Sequence, residues 1–227
     1  MKRLVVSVVV MVGVALSLAA TATASCNPNR SNSSGNWHDG WYAAPPSGTC
    51  INGSAANIEV YSPYVAAADV TAWVMLFNNS TNRYGQVGWY QNSNGFRWNF
   101  TESDTATGGF HQNFFSPSSI GADPQYKITF SSNAFHYFIS GTNINTDTNT
   151  GYTGCWSEQM GEVTSSANQM PGGYNSPDYF ILAQVRRADT SAWYNTNGTP
   201  LNDNSSWYNY SKVSSSEIDI WDRACAS

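Results

Sequence analysis

The chain has 227 residues, of which 10 are Lys or Arg and 15 are Asp or Glu, and its net charge at pH 7 is −5. Only 11% of the residues are charged, about half the usual fraction. No basic patch is visible, which argues against nucleic acid and anionic membranes as partners. Asn, Ser and Thr supply the polarity instead, and a surface of this kind changes little when its carboxylates are protonated, so it suits an acidic medium.

The first 24 residues predict a secretory signal peptide. Lys2 and Arg3 form a basic start, residues 4–20 form an apolar run, and Ala22 and Ala24 have the A-x-A spacing of a cleavage site. We therefore expect residues 1–24 to be removed and the mature protein to be soluble and extracellular. No later segment approaches the roughly 18 consecutive apolar residues of a membrane span.

All four cysteines, Cys26, Cys50, Cys155 and Cys225, follow the predicted signal peptide. In an exported protein an even number of cysteines indicates disulfides, and four cysteines allow three pairings. We favour Cys26–Cys50, which would close an N-terminal loop, and Cys155–Cys225, which would tie the last strand to the body of the fold. No C-x-x-C motif occurs and the histidines are scattered, so we expect neither a metal site nor a cofactor.

Helical periodicity is nearly absent. Residues 25–56, rich in Asn, Ser, Gly and Pro, predict a loop-rich N-terminal segment, and residues 57–227 predict a β-sandwich domain. Short β-branched and aromatic runs between turn residues predict strands at residues 56–61, 71–77, 84–91, 96–102, 126–131, 135–140, 160–164, 179–188 and 216–222. The polar segments 141–154 and 189–212 predict long loops. About nine strands at these spacings are typical of an all-β, single-domain, two-sheet antiparallel β-sandwich, a concanavalin-like jelly roll.

The C-terminal segment SEIDIWD (216–222) is one candidate for acid–base chemistry. On a strand, Glu217 and Asp219 point to the same face, and carboxylates so placed resemble the E-x-D-x-x-E strand of laminarinase-type retaining glycosidases. The favoured interpretation is that they form the polar face of a final strand whose Ile218 and Ile220 point into the core. No G-x-S-x-G motif supports a serine nucleophile.

The stretch CWSEQMGEVTSSANQMPGGY (155–174) carries two carboxyls in a charge-poor region. A strand period of two puts Glu158 and Glu162 on one face. In the strand predicted at 84–91 (YGQVGWYQ), Gln86 is a polar residue with glycines at 85 and 88, which would spare room for the backbone of a ligand. From spacing alone, the favoured interpretation is that Gln86 and Glu162 are unconnected polar residues on solvated strand faces.

Three segments, in this order along the chain, are similar to segments of the glutamic peptidases. YGQVGW (84–89) resembles the neprosin strand that carries a catalytic Glu before a small residue, Gly and Trp, and its Q-x-G matches the eqolisins, the scytalidoglutamic type. QMGEV (159–163) resembles the neprosin W-G-G-E-V strand, and the spacing of the two glutamates matches the eqolisin A-E-x-x-x-E. NQMPGG (168–173) resembles the neprosin T-x-M-G-S-G. The chain is thus similar to the neprosin family and, more distantly, to the eqolisins.

This resemblance implies a secreted endopeptidase that hydrolyses polypeptides through an activated water. Glu162 would act as general base and then as proton donor, and the amide of Gln86 would donate to the oxyanion. Glu158 would support Glu162 from the same face, and Trp89 and Tyr90 would support the site as well. We expect a monomer that works near the ordinary pKa of a glutamate, about 4.3.

A second class of function is a secreted, non-catalytic β-sandwich that binds glycans or decorates the cell surface. The nine tryptophans and thirteen tyrosines can stack on sugars. The aromatic side chains of the candidate strands either line a substrate face or belong to the core; they are Trp73, Trp89, Tyr90 and Trp98. Gln86 and Glu162 side by side on one face would favour the peptidase, and their separation on opposite sheets would argue against it.

Overall fold

The computed structural model describes residues 25–44, 49–78, 80–173 and 175–225. The predicted signal peptide lies outside these residues. Within the described ranges, no helix has the length and apolar character needed to cross a membrane.

Regular structure in the described residues is almost entirely β-strand. The strands, in chain order, are β1 (Ser34–Ala43), β2 (Ile51–Ile58), β3 (Asp69–Asn78), β4 (Arg83–Asn92), β5 (Arg97–Thr105), β6 (Gly109–Phe115), β7 (Gln125–Ser131), β8 (Ala134–Ile139), β9 (Thr142–Thr148), β10 (Trp156–Ser165), β11 (Gly172–Gly173), β12 (Ser176–Arg187), β13 (Trp193–Asn195), β14 (Thr199–Asn202), β15 (Tyr208–Ser214) and β16 (Glu217–Asp222). A short 3₁₀ helix, Arg223–Cys225, follows β16.

The strands of the described residues form two sheets that pack on a common core. The seven-stranded sheet has the order β14-β1-β10-β3-β4-β5-β6. The nine-stranded sheet has the order β15-β16-β11-β12-β2-β7-β8-β9, with β13 paired to β12. Neighbours are antiparallel apart from a single parallel pairing of Gly173 with Asp222. The two-sheet antiparallel β-sandwich predicted from the sequence is therefore confirmed.

The core lies between the sheets and takes every second side chain of the central strands, as strand geometry requires. The side chains of β3 that point into this core are Val70, Ala72, Val74 and Leu76. The side chains of β3 that point the other way line cavities on the outer face of the seven-stranded sheet, and they are Thr71, Trp73, Met75 and Phe77. β3 thus carries apolar side chains on both faces, because one face packs in the core and the other lines the cavities of the outer face.

A polar contact inside the core holds β10 against the nine-stranded sheet. Gln159 points inward and is fully buried. Its Nε2 donates to Ser54 Oγ of β2 at 3.2 Å, and its Oε1 accepts from Thr196 Oγ1 at 3.2 Å. Ser157 Oγ donates to the same Ser54 Oγ at 2.7 Å. A buried polar group that loses its partners costs about 1–3 kcal/mol, so these bonds favour the register in which Gln159 points inward.

Most of the strands that sequence reasoning missed are edge strands. β6 and β14 end the seven-stranded sheet, and β9 and β15 end the nine-stranded sheet. β6 (GFHQNFF) is exposed over nearly its whole length, and β9 (TNINTDT) has Ile144 as its one apolar residue. The predicted loops 141–154 and 189–212 were wrong where they contain β9 and β13 to β15, because an edge strand in solvent needs no apolar alternation.

The segment 25–56, predicted to be loop-rich, contains β1 and most of β2. β1 (SGNWHDGWYA) holds two glycines and several polar residues, so its local sequence favours no regular structure. Its partners decide its conformation, since β1 pairs with β10 on one side and with β14 on the other. β1 therefore belongs to the sandwich.

The favoured disulfide pairing is also wrong, because Cys26 is bonded to Cys225 and Cys50 to Cys155. Cys26 precedes β1 and Cys50 follows it, and this strand of 10 residues spans about 33 Å. The Cα atoms of Cys26 and Cys225 are 5.6 Å apart, and the bond ties the N-terminal segment to the end of β16. The bond from Cys50 to Cys155, with Cα atoms 4.2 Å apart, joins the entry of β2 in one sheet to the entry of β10 in the other.

We expect digestion of the native protein without reductant, followed by mass spectrometry, to yield the linked peptides Cys26–Cys225 and Cys50–Cys155. Replacing Cys26 and Cys225 by Ser should lower the free energy of unfolding by about 2–5 kcal/mol, because the bond restrains the unfolded chain. A peptide that links Cys26 to Cys50 would contradict the fold, since β1 would have to leave its sheet.

Candidate active site

The outer face of the seven-stranded sheet carries the two side chains that the sequence singled out. β3 lies between β10 and β4, with Thr71 opposite Glu162 and Met75 opposite Gln86. Trp73 lies between those two positions on β3. Glu162 and Gln86 therefore project from the two neighbours of β3 on the same side of the sheet.

An open cavity of about 430 Å³ is lined by both Gln86 and Glu162. A smaller cavity of about 180 Å³, which shares Asn36 and Glu102 with the larger one, is also lined by both. The larger cavity takes its walls from β1, β3, β4, β5, β10 and the β3–β4 turn, and its lining residues are Asn36, His38, Trp73, Met75, Phe77, Asn78, Asn82, Tyr84, Gln86, Glu102, Glu158 and Glu162. The structure thus brings the two candidate residues into one site.

The carboxyl group of Glu162 is held on two sides. Trp73 Nε1 donates a hydrogen bond to Glu162 Oε2 at 3.0 Å. His38 Nε2 lies 3.7 Å from Glu162 Oε1, and His38 is the cross-strand neighbour of Glu162 on β1. Because the two oxygens have different partners, the plane of the carboxyl group is defined.

His38 is in turn bound by Asp203, which follows β14. His38 Nδ1 lies 2.7 Å from Asp203 Oδ2, and the backbone N–H of His38 donates to the same oxygen at 3.1 Å. Burial lowers the pKa of His38, but the hydrogen bond to Asp203 and the interactions with Glu162 outweigh it and raise the pKa to about 10. His38 is therefore an imidazolium at acidic and neutral pH.

Gln86 is oriented by a carboxyl of the next strand. Its Nε2 donates to Glu102 Oε1 at 3.1 Å, and Tyr84 Oη donates to the same oxygen at 2.7 Å. The other oxygen of Glu102 accepts from Gln112 Nε2 at 2.9 Å. Burial raises the pKa of Glu102, and the charge of Glu162 adds to this against the hydrogen bonds from Tyr84 and Gln112. An acceptor at this position fixes which end of the amide is the nitrogen.

Glu158 lines the same cavity at the other end of the outer face of β10. Burial raises the pKa of Glu158 to about 7; His38 lowers it, while Asp203 and Glu162 raise it. Glu158 thus holds a proton in acidic medium.

Of the aromatic side chains expected at the site, Tyr90 is present and Trp89 is not. Tyr90 lines the smaller cavity and contacts Trp98 and Phe114, with ring centroids 5.8 Å and 5.3 Å away. Trp89 points into the core between the sheets, and its Nε1 donates to the carbonyl of Glu59 at 2.8 Å. The alternation of β4 puts Val87 and Trp89 on the inner face, so Trp89 supports the sheet and does not reach the cavity.

The floor of the outer face is apolar. Trp73, Phe100 and Met160 form a buried cluster there. Gly88, opposite Trp73, leaves room for the neighbouring strand, since a Cβ on it would lie 1.9 Å from the carbonyl oxygen of Ala72. The sequence suggested that this glycine spares room for a ligand, and the structure shows that it spares room for β3.

Sequence reasoning missed several polar residues of the site, among them His38, Tyr84, Glu102 and Asp203. His38 and Asp203 lie in segments predicted to be loops. Glu102 closed a predicted strand, and the period of two puts it on the face of Phe100, which belongs to the cluster of the outer face. No signal in the sequence pairs His38 with Asp203, because 165 positions separate them.

The alternative carboxyl pair lies elsewhere. Glu217 and Asp219 belong to β16 of the nine-stranded sheet, while Ile218 and Ile220 are buried in the core. Neither carboxyl lines the two cavities that hold Glu162. Among the described residues, no group of three or more His, Cys, Asp and Glu side chains is arranged to hold a metal ion.

No protein-family model matches the chain, and no curated protein matches it in sequence. Its fold is similar to that of a Scytalido-glutamic peptidase solved with a peptide-based transition state analog, with a TM-score of 0.55 and 16% identity over 84% of this chain and 100% of that one. It is also similar to SCP-B, a member of the eqolisin family solved with the tripeptide Ala-Ile-His, with a TM-score of 0.51 and 13% identity over 84% and 100% of the two chains. A β-glucanase from Bacillus licheniformis gives a TM-score of 0.41 and 11% identity over 80% and 77% of the chains. At these identities, the likeness to the eqolisins establishes a shared fold.

Several carboxyls of the folded protein hold a proton at a pH where an unfolded chain releases it. Burial raises the pKa of Asp39 to about 8, with Arg223 opposing and Asp203 adding to the effect, and burial followed by the charge of Glu217 raises that of Asp219 to about 6. A carboxyl whose folded pKa exceeds its unfolded pKa stabilises the fold as the pH falls. His38 acts in the same sense, because its contribution is complete below its unfolded pKa of 6.5 and is lost as the pH rises through about 10.

We therefore expect the free energy of unfolding to increase from pH 8 to pH 4.5, and Glu158→Gln to isolate one part of the effect. At pH 8 the variant should be more stable than the wild type by about 2 kcal/mol, since it removes a buried carboxylate, and at pH 4.5 the two should be nearly equal. Urea unfolding at both pH values measures this. Equal stabilisation at the two pH values would show that Glu158 does not titrate as described.

Proposed function

We propose that the chain is a secreted, acid-acting glutamic endopeptidase that hydrolyses peptide bonds with Gln86, Glu162 and an activated water. One observation carries the proposal: Gln86 and Glu162, 76 positions apart in sequence, line the same two cavities on one face of one sheet. Unconnected polar residues on solvated faces have no reason to meet in this way. The motif order that resembles the neprosins and eqolisins, and the eqolisin fold, support the same function.

The first step of the proposed reaction is attack by water on the scissile carbonyl. Glu162 takes a proton from the water as its oxygen bonds to the carbonyl carbon. Trp73 and His38 hold the carboxyl group, so its orientation toward the water is set before substrate binds. The products of this step are a tetrahedral intermediate with a negative oxygen and a protonated Glu162.

The second side chain stabilises the oxyanion. One N–H of the Gln86 amide is engaged by Glu102 at 3.1 Å, and Nε2 carries a second N–H that is directed to the intermediate. A preorganised donor of this kind contributes about 10²–10³ in rate. Glu162 then returns its proton to the leaving amine as the C–N bond breaks, so no metal and no covalent intermediate enters the cycle.

The proposed substrate is an extended, unfolded polypeptide that lies across the strands of the outer face. The cavity is open, and its apolar floor of Trp73, Phe100 and Met160 suits side chains and backbone alike. The two solved glutamic peptidases of the same fold hold a peptide-based analog and a tripeptide. We propose that this chain acts on polypeptides as a monomer, and that neither nucleic acid nor a membrane is its partner.

Acidic medium suits this site because protonation of its neighbouring carboxyls, Glu158 above all, lowers the negative charge around Glu162. Burial raises the pKa of Glu158 to about 7 and also raises the pKa of Glu102. Below pH 7 the cavity therefore carries less negative charge to repel the oxyanion. Activity is expected to fall toward neutral pH.

Glycan binding without catalysis is the second candidate, and one observation favours it. Two phenylalanines of this surface are exposed, Phe96 by 61% and Phe114 by 45%. Phe96 contacts Trp98, and Trp98, Phe114 and Tyr90 contact one another, with ring centroids 5.3 Å to 5.8 Å apart in each pair. Aromatic rings on a surface can stack on sugars. A binding module needs neither Glu162 nor Gln86, so the substitutions below separate the two functions.

Glu162→Gln should lower the hydrolysis of an unfolded protein at acidic pH by at least about 10²-fold, because the general base is lost. Gln86→Ala should lower it by about 10²–10³-fold, because the oxyanion loses its donor. Cleavage is followed by the release of new amino groups from the mature protein and the variants, with circular dichroism to confirm the fold.

Glu217→Gln is the matched control, a glutamate on the nine-stranded sheet outside the cavity, and it should cleave like the wild type. Hydrolysis at the wild-type rate in Glu162→Gln or Gln86→Ala would contradict the proposal that these two residues form the catalytic pair. Loss of activity in Glu217→Gln, together with release of reducing sugar from a β-glucan by the wild type, would favour the glycosidase interpretation.

A further inference from the structure

The position next to Glu162 on β1 is filled by a charged side chain that the proposed reaction does not consume. His38 and Glu162 are register partners in the β1–β10 ladder, and the imidazole lines the cavity. Its two ring nitrogens face two different carboxylates: Nδ1 lies 2.7 Å from Asp203 Oδ2 and Nε2 lies 3.7 Å from Glu162 Oε1. Both nitrogens act as donors only when the ring is protonated.

Asp203 holds the imidazole of His38 in place through several contacts. Besides the bond to Nδ1, its carboxylate accepts the backbone N–H of His38 at 3.1 Å, and its own backbone N–H donates to the carbonyl of His38 at 3.0 Å. These three contacts lock the segment after β14 to β1. The hydrogen bond from His38 also lowers the pKa of Asp203.

The charged and titratable groups that face the imidazole are all acidic. β10 presents Glu162 and Glu158, and the segment after β14 presents Asp203. β3 presents the edge of the Trp73 ring, with ring centroids 6.1 Å apart. Asp39, the next residue of β1, is buried and acts on Asp203 from the inner side. Among the described residues, the positive charge of His38 is thus surrounded by carboxyls that compete for it, and Glu162 is one of its two direct neighbours.

We propose that His38, held by Asp203, is a positioning residue for Glu162: its charged ring beside Oε1, together with the Trp73 indole N–H on Oε2, holds the carboxyl group in the orientation that activates the water. The inference rests on the proposed function. His38 transfers no proton in this scheme, because Asp203 and Glu162 together keep the ring cationic. Its effect is on kcat, because it sets the orientation of the carboxyl group toward the water before the substrate reacts.

His38→Gln tests the role of the charge, because the amide keeps a polar donor but carries no charge. A displaced reacting group lowers the rate by up to about 10²-fold. We expect kcat to fall about tenfold in His38→Gln, because the charged ring no longer orients Glu162 Oε1. KM should change little, since His38 acts through Glu162 and not on the substrate.

Asp203→Asn is a second variant that leaves the imidazole in place and removes the carboxylate that holds it. Its kcat should fall by a smaller factor, again with little change in KM. His136→Gln is the matched control: His136 is a histidine of β8, in the nine-stranded sheet, and its replacement should leave kcat and KM unchanged. An unchanged kcat in a folded His38→Gln protein would overturn the inference, and a rise in KM at constant kcat would do so as well.

NMR titration of the imidazole decides the matter independently of activity. His38 should stay protonated well above its ordinary pKa of 6.5, and Glu162→Gln should lower that pKa while leaving the signal of His136 unchanged. Titration of His38 near 6.5 in the wild type, or no change in Glu162→Gln, would refute the contact. If the wild type cleaves no polypeptide but the NMR shifts occur as expected, the proposed function fails and the His38–Glu162 coupling stands.

Discussion

Gln159 holds β10 in register from the side of the core, and the outer face follows from that. Its amide forms hydrogen bonds with Ser54 of β2 and with Thr196. These bonds attach β10 to the nine-stranded sheet and fix which of its side chains point into the core. A slip by one residue would turn Glu158 and Glu162 into the core and expose Gln159 to solvent. Two carboxyls would then be buried among apolar side chains, at a cost far above that of the amide. The contact that joins the sheets therefore also keeps both glutamates in the cavity.

β3 pairs with both β10 and β4, so the register of β10 also determines where Gln86 of β4 lies relative to Glu162. The close approach of β4 to β3 at Gly88, where a Cβ would lie 1.9 Å from the carbonyl of Ala72, fixes the β3–β4 ladder as Gln159 fixes β10. With both ladders fixed, Glu162 and Gln86 stand on either side of Trp73, whose indole N–H reaches Glu162. The site is assembled from regular strands in the middle of a sheet, which gives the side chains a rigid base.

The carboxyl groups of the cavity determine its chemistry as much as the strand register does. The cavity gathers Glu102, Glu158 and Glu162 in a chain that has few charges, and burial raises the pKa of the first two. Two carboxyls that are easily protonated and one that faces an imidazolium form an arrangement suited to low pH. The same raised pKa values stabilise the fold there, so stability and the proposed activity both favour acidic medium.

How far the sequence predicts this structure depends on burial. β3 and β4 are recognisable because their apolar residues run continuously or alternate, and the strand period of two correctly puts Glu158 and Glu162 together on one face of β10. Edge strands such as β6 and β9 escape prediction because solvent on their open side removes the pattern. β1 is not predicted because its pairing with neighbouring strands, and not its own residues, makes it a strand. His38 lies on β1, so its place in the site could not be predicted either. The disulfides depend on where β1 carries the chain, so their pairing could not be derived from spacing.

A crystal structure of the mature protein with a peptide-based transition-state analogue at acidic pH would show whether Glu162 and Gln86 act on the same scissile bond. We expect the tetrahedral centre of the analogue to lie over Trp73, with one oxygen within hydrogen-bonding distance of Glu162 and the other within hydrogen-bonding distance of Gln86 Nε2. An analogue bound away from this cavity, or bound in it with either side chain out of reach of the tetrahedral centre, would contradict the account.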